Sequence, residues 1–314
     1  MLTFEGCKFV SNGKSGYNGA NLWGNTKMIN TEFTFDGTAS TEWVDCISAD
    51  KTYEFTGCTL NGGSIMNRDY IWSRNDGTDI TIDGVTYEDY MTQTFISTAE
   101  ELVAFAEEVN VNKNSFDGKT VYLVADIDLA GIDWEPIGQT GNCTFNGVFE
   151  GYDHTISNLS VDSEDQTGKY YSSGLFGWVE SHTAGHGHIK NVKISGATVK
   201  GHHNCGALVG YITQETALIE NCHVTGATIT CTYANGDADG DKAGALIGNA
   251  TVATPVKNCT AAKSTVSAGR DAGQVIGAGK EANVTGCSAT EVAVSANGTG
   301  TGENIRNEVI GRLL

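Results

Sequence analysis

The stretches Ser173-Gly-Leu-Phe-Gly177, Gly206-Ala-Leu-Val-Gly210, Gly244-Ala-Leu-Ile-Gly248, Gly273-Gln-Val-Ile-Gly277 and Asn307-Glu-Val-Ile-Gly311 decide the fold. Between them a second segment recurs: Ile156-Ser-Asn-Leu159-Ser-Val161, Ile189-Lys-Asn-Val192-Lys-Ile194, Ile219-Glu-Asn-Cys222-His-Val224, Val256-Lys-Asn-Cys259-Thr-Ala261 and Val284-Thr-Gly-Cys287-Ser-Ala289. The fourth positions of this segment lie 33, 30, 37 and 28 residues apart. Each repeat therefore holds at least two short strands. Val192 and Ile194, or Cys222 and Val224, alternate with Lys193 and His223, which gives a strand one inward and one solvent face.

A looser and shorter repeat precedes residue 92: Phe4-Glu-Gly-Cys7-Lys-Phe9, Asn30-Thr-Glu-Phe33-Thr-Phe35, Phe55-Thr-Gly-Cys58-Thr-Leu60 and Ile82-Asp-Gly-Val85-Thr-Tyr87. Spacings of 26, 25 and 27 residues leave room for two or three strands with their turns, but not for a strand and a covering helix. One coil cannot bury its inner face alone. Stacked coils bury it as one column per position, with parallel strands about 4.8 Å apart, so that ten coils would form a rod on the order of 50 Å long. Crossovers between parallel strands are right-handed in nearly all proteins. The expected fold is all-β: a right-handed parallel β-helix (solenoid) with one short amphipathic capping helix near 98–109. A leucine-rich repeat would need Leu-x-x-Leu-x-Leu spacing, which this chain lacks.

Composition fits this reading. The 314 residues include 40 Gly and only 2 Pro, with 39% hydrophobic residues and a net charge of −19. Apolar and aromatic residues are too abundant for a disordered Gly-rich chain. Gly177, Gly210, Gly248 and Gly277 are expected at corners, where a Cβ would obstruct positive φ or close coil contact. Asn158, Asn191, Asn221 and Asn258 are expected on another corner, with stacked amides. Pro is scarce because it would delete a ladder bond in strands paired on both sides. The acidic balance argues against nucleic acid as a partner, and no apolar run is long enough for membrane insertion. No signal peptide opens the chain, so an excised or processed piece is expected.

Thr98-Ala-Glu-Glu101 reads as a capping box, and Leu102, Phe105, Ala106 and Val109 form one apolar face. A helix here would begin a second domain and cover the first coil's open edge. The expected division is therefore β-helix coils over 1–91, forming the end of a longer solenoid, and a second β-helix domain with an N-terminal capping helix over 95–314.

At this point the residues carry a family likeness. Ile96-Ser-Thr-Ala-Glu-Glu-Leu102, Asp126-Ile-Asp-Leu129, Trp134-Glu-Pro-Ile-Gly138, Phe145-Asn-Gly-Val-Phe149 and Ile156-Ser-Asn-Leu159, followed by the Ser-Gly-Leu-Phe-Gly177 type repeats, resemble in order the GLUG-motif regions of bacterial surface and secreted proteins. The resemblance covers about 95–314 and implies a right-handed β-helix outside the cell. Residues 1–91 resemble pectate-lyase-like β-helices in a generic way. GLUG regions occur beside IgA-protease catalytic domains, but the chain has no His-Glu-x-x-His motif, so protease chemistry is not carried over.

Candidate sites follow from residue type and spacing. Asp237, Asp239 and Asp241 alternate in a Gly-containing loop and could converge on a hard cation, calcium being the one that fits. The EF-hand pattern fails, because Lys242 takes its Gly position and Gly248 its bidentate Glu position, and a solvated acidic loop is the competing reading. No cofactor is required by any motif. Cys222, Cys259 and Cys287 share an inward column that could hold a disulfide or a row of buried thiols. His182, His186, His188, His202, His203 and His223 crowd into one stretch and could bind zinc, copper or nickel on adjacent loops, or simply stand exposed. Thr198, Thr228 and Thr265 form an outward column broken at Val292, which argues against ice binding. The outward pairs Lys193/Ser195, His223/Thr225, Thr260/Ala262 and Ser288/Thr290 include no carboxylate pair and no Arg for lyase or hydrolase chemistry.

The function expected is that of a non-catalytic cell-surface or secreted β-helical module, acting as adhesin, stalk or binding surface. A host or bacterial glycan or protein is the expected ligand. Thr3-Phe-Glu-Gly-Cys7 starts in mid-coil and Val309-Ile-Gly-Arg-Leu-Leu314 stops on an apolar strand, so further chain or a neighbouring copy is expected to cover the ends. A carbohydrate-binding or polysaccharide-cleaving β-helix is the alternative, supported by fold analogy.

Overall fold

The computed structural model describes residues 1–11, 18–35, 42–46, 48, 51–65, 71–73, 79–86, 93–163, 172–181, 184–213, 217–232, 241–250, 254–280, 283–296, 304–305 and 308–313. The chain divides into two compact units, Met1–Phe95 and Ile96–Leu314. Each is a stack of coils whose strands pair in parallel with the coil before and the coil after, and the fold is a right-handed parallel β-helix.

In the first unit a coil has three strands, such as Thr26–Ile29, Glu32–Phe35 and Glu42–Cys46. Phe4, Met28, Phe55 and Ile82 are register partners down one inward column, and Phe9, Phe33 and Leu60 down the next. The Phe9 and Phe33 rings stack with centroids 5.4 Å apart. This register differs by two residues from the repeat read in the sequence. Thr31, not Phe33, stands in the column of Cys7 and Cys58, because the backbone bonds run Glu32 N to Cys7 O and Thr59 N to Thr31 O. Asn30 there takes φ +46° where Gly6 and Gly57 take +59°, so an Asn-Thr pair replaces Gly-Cys without breaking the turn.

The second unit uses five strands per coil. One complete coil runs His188–Lys190, Lys193–Ser195, Thr198–Gly201, Asn204–Cys205 and Val209–Ile212, and Leu218–Glu220 begins the next. We number the resulting ladders one to five in that order. Inward columns are Phe149, Ile189, Ile219 and Val256 on ladder one, Ile156, Ile194, Val224 and Ala261 on ladder two, and Val161, Val199, Ile229 and Val266 on ladder three. All are buried. The outward column of ladder one reads Glu150, Lys190, Glu220, Lys257, so opposite charges face each other at each step. Lys190 Nζ lies 3.5 Å from Glu150 Oε2. Such pairs add little energy but penalise a slipped register.

Asn191, Asn221 and Asn258 turn ladder one into ladder two with φ between +52° and +55°, a conformation Asn tolerates. The Asn221 amide donates to Asn191 Oδ1 at 3.1 Å, and Asn191 donates to Glu150 Oε1 at 2.6 Å. Asn158 does not belong to this column. Its coil is registered Ile156 to Ile194, which places Asn158 one turn later, level with Gly196 and Gly226. The outward Thr198, Thr228 and Thr265 continue to Ala293 rather than Val292, which is buried.

The motif glycines sit inside ladder-five strands, not at corners. Gly210 is the second residue of Val209–Ile212 and Gly248 the second of Ile247–Ala250. A Cβ on Gly248 would lie 2.5 Å from Cys205 N and 2.7 Å from Gly210 O, and one on Gly210 would lie 2.7 Å from Ser173 N. Ladders four and five thus lie backbone to backbone, with no space for a side chain between them.

Helix α1, Ala99–Asn110, has Thr98 as N-cap with a complete capping box. Glu101 N donates to Thr98 Oγ1 at 3.2 Å, and Glu101 Oε2 accepts from Thr98 N and Ser97 N. Its buried face brings Phe105 to 4.9 Å from Phe116, 5.8 Å from Phe145 and 6.0 Å from Phe149, between ring centroids. Each such pair adds about 0.5–1.5 kcal/mol to burial.

Replacing Gly248 by Ala should cost about 1–3 kcal/mol, because the methyl group must displace backbone of the neighbouring ladder. Thr228→Ala on the exposed face should stay within about 0.5 kcal/mol of the parent. Urea unfolding followed by circular dichroism checks both values.

Candidate functional site

Because ladders four and five touch through glycine, their outer side chains turn to the same side. On ladder five the residue after each motif glycine forms a column of register partners: Trp178, Tyr211, Asn249 and Ala278. On ladder four the matching column is Ser172, Asn204, Lys242 and Asp271. The two columns are stitched together. Asn249 Nδ2 donates to Asn204 Oδ1 at 3.0 Å, and Asn204 Nδ2 donates to Ser172 Oγ at 3.2 Å. Asn204 and Asn249 are buried, whereas Trp178 and Tyr211 are half-buried with ring centroids 4.9 Å apart, edge to face. The indole N–H of Trp178 donates to Thr213 Oγ1 at 3.2 Å, which fixes the ring. Aromatic rings on a fixed strand platform suit a ligand with C–H surface.

Charged groups lie next in the same rows. Lys242 and Asp271 are register partners and both are buried. Arg270 Nε lies 3.8 Å from Asp271 Oδ2. An Arg therefore stands beside an Asp at the start of ladder four, whereas the outward pairs of ladder two hold neither. The Asp271 side chain is fully buried, so its contacts serve the stack.

Of the proposed calcium ligands, Asp237 and Asp239 lie outside the described residues. Asp241 is buried at the start of ladder four, with its carboxylate against Gly269, where a Cβ would collide with it. His182 also lies outside the described residues. The remaining histidines do not converge. His186 Nδ1 is 2.6 Å from Asp117 Oδ1, His202 Nδ1 is 2.9 Å from Thr232 O, and His223 Nδ1 is 2.9 Å from Thr260 Oγ1. Among the described residues no group of three or more His, Cys, Asp or Glu is placed to hold a metal ion. Asp162, at the end of the strand Ser160–Asp162, is 3.7 Å from Lys200 Nζ across one coil step.

All nine cysteines are free thiols, and Cys222, Cys259 and Cys287 do share the expected inward column. The Cys222 and Cys259 thiols donate to the carbonyls of Glu220, at 3.3 Å, and Lys257, at 3.2 Å, a repeated contact that fills each turn. Hydrogen bonding to Cys222 and burial hold the Cys259 thiol well above its ordinary value. Hydrogen bonding to Cys259 and burial do the same for Cys287, and desolvation does so for Cys46 and Cys231.

No family model matches the chain. Over 149 residues, 45% of its length, the chain is 30% identical to the protein named Halomucin from Haloquadratum walsbyi (strain DSM 16790 / HBSQ001). The match spans about 1% of that relative's length. Among solved structures, a Bacteroides ovatus protein provisionally assigned as an immunoglobulin A1 protease aligns over 69% of this chain and 83% of its own, with 17% identity and a TM-score of 0.37. The fold assignment rests on the ladders themselves. Among the described residues no helix is long and apolar enough to cross a membrane.

Sequence reasoning passed over the Trp178, Tyr211 and Asn249 column. The signal was available: each is the residue that follows the last glycine of the recurring motif.

The raised thiols make stability depend on pH. Unfolded thiols ionise near pH 8.5, while Cys46, Cys231, Cys259 and Cys287 stay neutral in the folded chain, so the stability these groups contribute is complete below about pH 8 and is lost as pH rises above it. Urea midpoints measured between pH 7 and 10 in reductant should fall across that window, and simultaneous Cys259→Ala and Cys46→Ala replacement should flatten the fall.

Proposed function

We propose that the chain is a non-catalytic β-helical module of a secreted or surface-exposed protein, whose stacked coils act as a stalk and whose ladder-five strip binds glycan. The observation that carries this reading is the Trp178–Tyr211 pair, held edge to face beside the bonded Asn204–Asn249 amides on a rigid strand platform. The exposed parts of the two rings would pack against the C–H faces of a sugar, while the buried Asn204 and Asn249 amides hold the strands beneath them. A platform fixed by packing loses little side-chain entropy on binding. The relative named as a mucin supports an extracellular setting, and the ordered GLUG-type motifs point the same way. Within this reading Asp237, Asp239 and Asp241 would hold calcium, which would take no part in chemistry.

Polysaccharide cleavage is the second reading; the Lys242 and Asp271 side chains beside the strip are buried and argue against it. The two readings separate in one experiment. The intact chain is applied to a microbial and mucin glycan array, and every retained glycan is then incubated with it and assayed for new reducing ends or unsaturated products. Binding without cleavage is the expected result. Trp178→Ala and Tyr211→Ala should each weaken retention about tenfold or more while leaving the circular dichroism spectrum unchanged. Retention unaffected by both substitutions would remove the strip as the site, and product release would replace the stalk reading with the enzymatic one.

A further inference from the structure

A groove lies in the second unit between α1 and the turn that follows Gly131, and it uses no residue of the aromatic strip. Val103, Ala106, Ile132 and Trp134 form its apolar walls, and Asn110 closes one end. Its volume is about 260 Å³. Sites that enclose a whole small molecule usually measure about 300–1,000 Å³, so this groove has room for one long side chain rather than an oligosaccharide.

The walls are fixed. Asn110 Nδ2 donates to Pro136 O at 3.0 Å and its Oδ1 accepts from Gly138 N at 2.9 Å, which pins the last turn of α1 to the segment after the turn. The Trp134 indole N–H donates to Leu175 O at 3.2 Å, so the ring stands as a rigid wall. At the mouth Val111 is 71% exposed, an apolar side chain with no cover among the described residues.

Three carboxylates line this apolar slot: Glu107, Asp133 and Glu135, all exposed. Gln139 Nε2 donates to Glu135 Oε2 at 2.9 Å. Among the described residues no lysine, arginine or histidine forms an ion pair with Glu107 or Asp133. Lys113, just past the helix end, donates its ammonium to Asn110 O at 2.5 Å and so serves the helix C-terminus.

We infer that this groove docks an arginine or lysine side chain from an extended basic segment of a partner protein. The long methylene stem lies on Val103, Ala106, Ile132 and Trp134, and the cationic head reaches the carboxylates at the rim, as such side chains do when they cover apolar surface. An apolar residue beside the cation in the segment would cover Val111. The net charge of −19 on the chain draws a basic partner toward it from a distance and accelerates encounter at low salt. Arginine suits the site better than lysine, because its planar fork can bond two carboxylates at once and is more weakly hydrated.

The inference does not depend on glycan binding by ladder five, and its test separates the two. Fluorescence anisotropy is measured on the intact chain with a labelled peptide carrying Leu-Arg-Leu at its centre, and with the same peptide in which neutral citrulline replaces arginine. The arginine peptide should bind at least tenfold more tightly at 50 mM salt and lose most of that advantage at 500 mM. Glu107→Gln combined with Asp133→Asn should abolish the preference, and both substitutions are exposed, so thermal melting should not shift. Val103→Arg, which places a cation of the chain's own in the slot, should block the peptide while leaving glycan retention intact. Equal binding of the two peptides, or a preference that survives the double substitution, would overturn the proposal.

Discussion

Backbone touches backbone where ladder four meets ladder five, and most of what distinguishes this solenoid depends on that contact. A Cβ on Gly210, Gly248 or Gly277 would overlap main-chain atoms of the neighbouring ladder, so the two ladders close only because those side chains are missing. The contact turns the outer residues of both ladders to one side, which is how Asn204 comes within 3.0 Å of Asn249 and how Trp178 and Tyr211 stand in one row. The high glycine content, which at first serves only to distinguish the chain from a disordered one, is therefore partly a packing requirement. Gly286 in its turn, with φ +66°, illustrates the other use of glycine, where the backbone conformation itself is the requirement.

The same closeness makes the stack demanding toward polar groups. Asn249 Oδ1 and Arg270 Nη1 are buried without a hydrogen-bond partner among the described residues. A buried polar atom left unpaired costs about 1–3 kcal/mol. Both sit in or beside ladder four, the ladder that also buries Lys242 and Asp271, so buried polarity in the second unit is concentrated along one edge. The remaining ladders bury apolar side chains and thiols in uniform columns, and those columns supply the hydrophobic stabilisation against which the polar edge is tolerated.

How much of this was legible from sequence varies by position. The stacked coils, the column of Cys222, Cys259 and Cys287, and the capped helix over Ala99–Asn110 follow from period and residue type, because each is enforced by a repeating local requirement. Register at the second coil of each unit was not legible. Ile156-Ser-Asn158 matches Ile189-Lys-Asn191 in its Ile and its Asn, yet Phe149 is the true partner of Ile189. The coils from Phe149 onward contain two left-handed turns one strand apart, so either turn can satisfy the pattern, and the coil of Phe149 places Gly151 rather than Asn at the true position. The aromatic strip was hidden for another reason. Glycine in a strand pattern suggests a corner, and only the meeting of two ladders shows that the strand continues through it and aims its next residue outward. The groove beside α1 joins a helix to a turn some twenty-five residues later in the chain, a juxtaposition that no periodic pattern encodes.

The central claim is that residues separated by whole coils in sequence are separated by single strand spacings in space. Ser160, Thr198, Thr228, Thr265 and Ala293 are successive register partners on ladder three, so Ser160 and Ala293 stand four coil steps apart. With parallel strands about 4.8 Å apart, their backbones should be about 19 Å from each other. Spin labels attached through ketone-bearing amino acids at these two positions, which spares the native thiols, measure this separation by pulsed electron resonance. A single narrow distribution near 20–25 Å, allowing for the label arms, is the predicted result. A broad distribution, or a narrow one beyond about 35 Å, would contradict the stacked ladder and everything built on it.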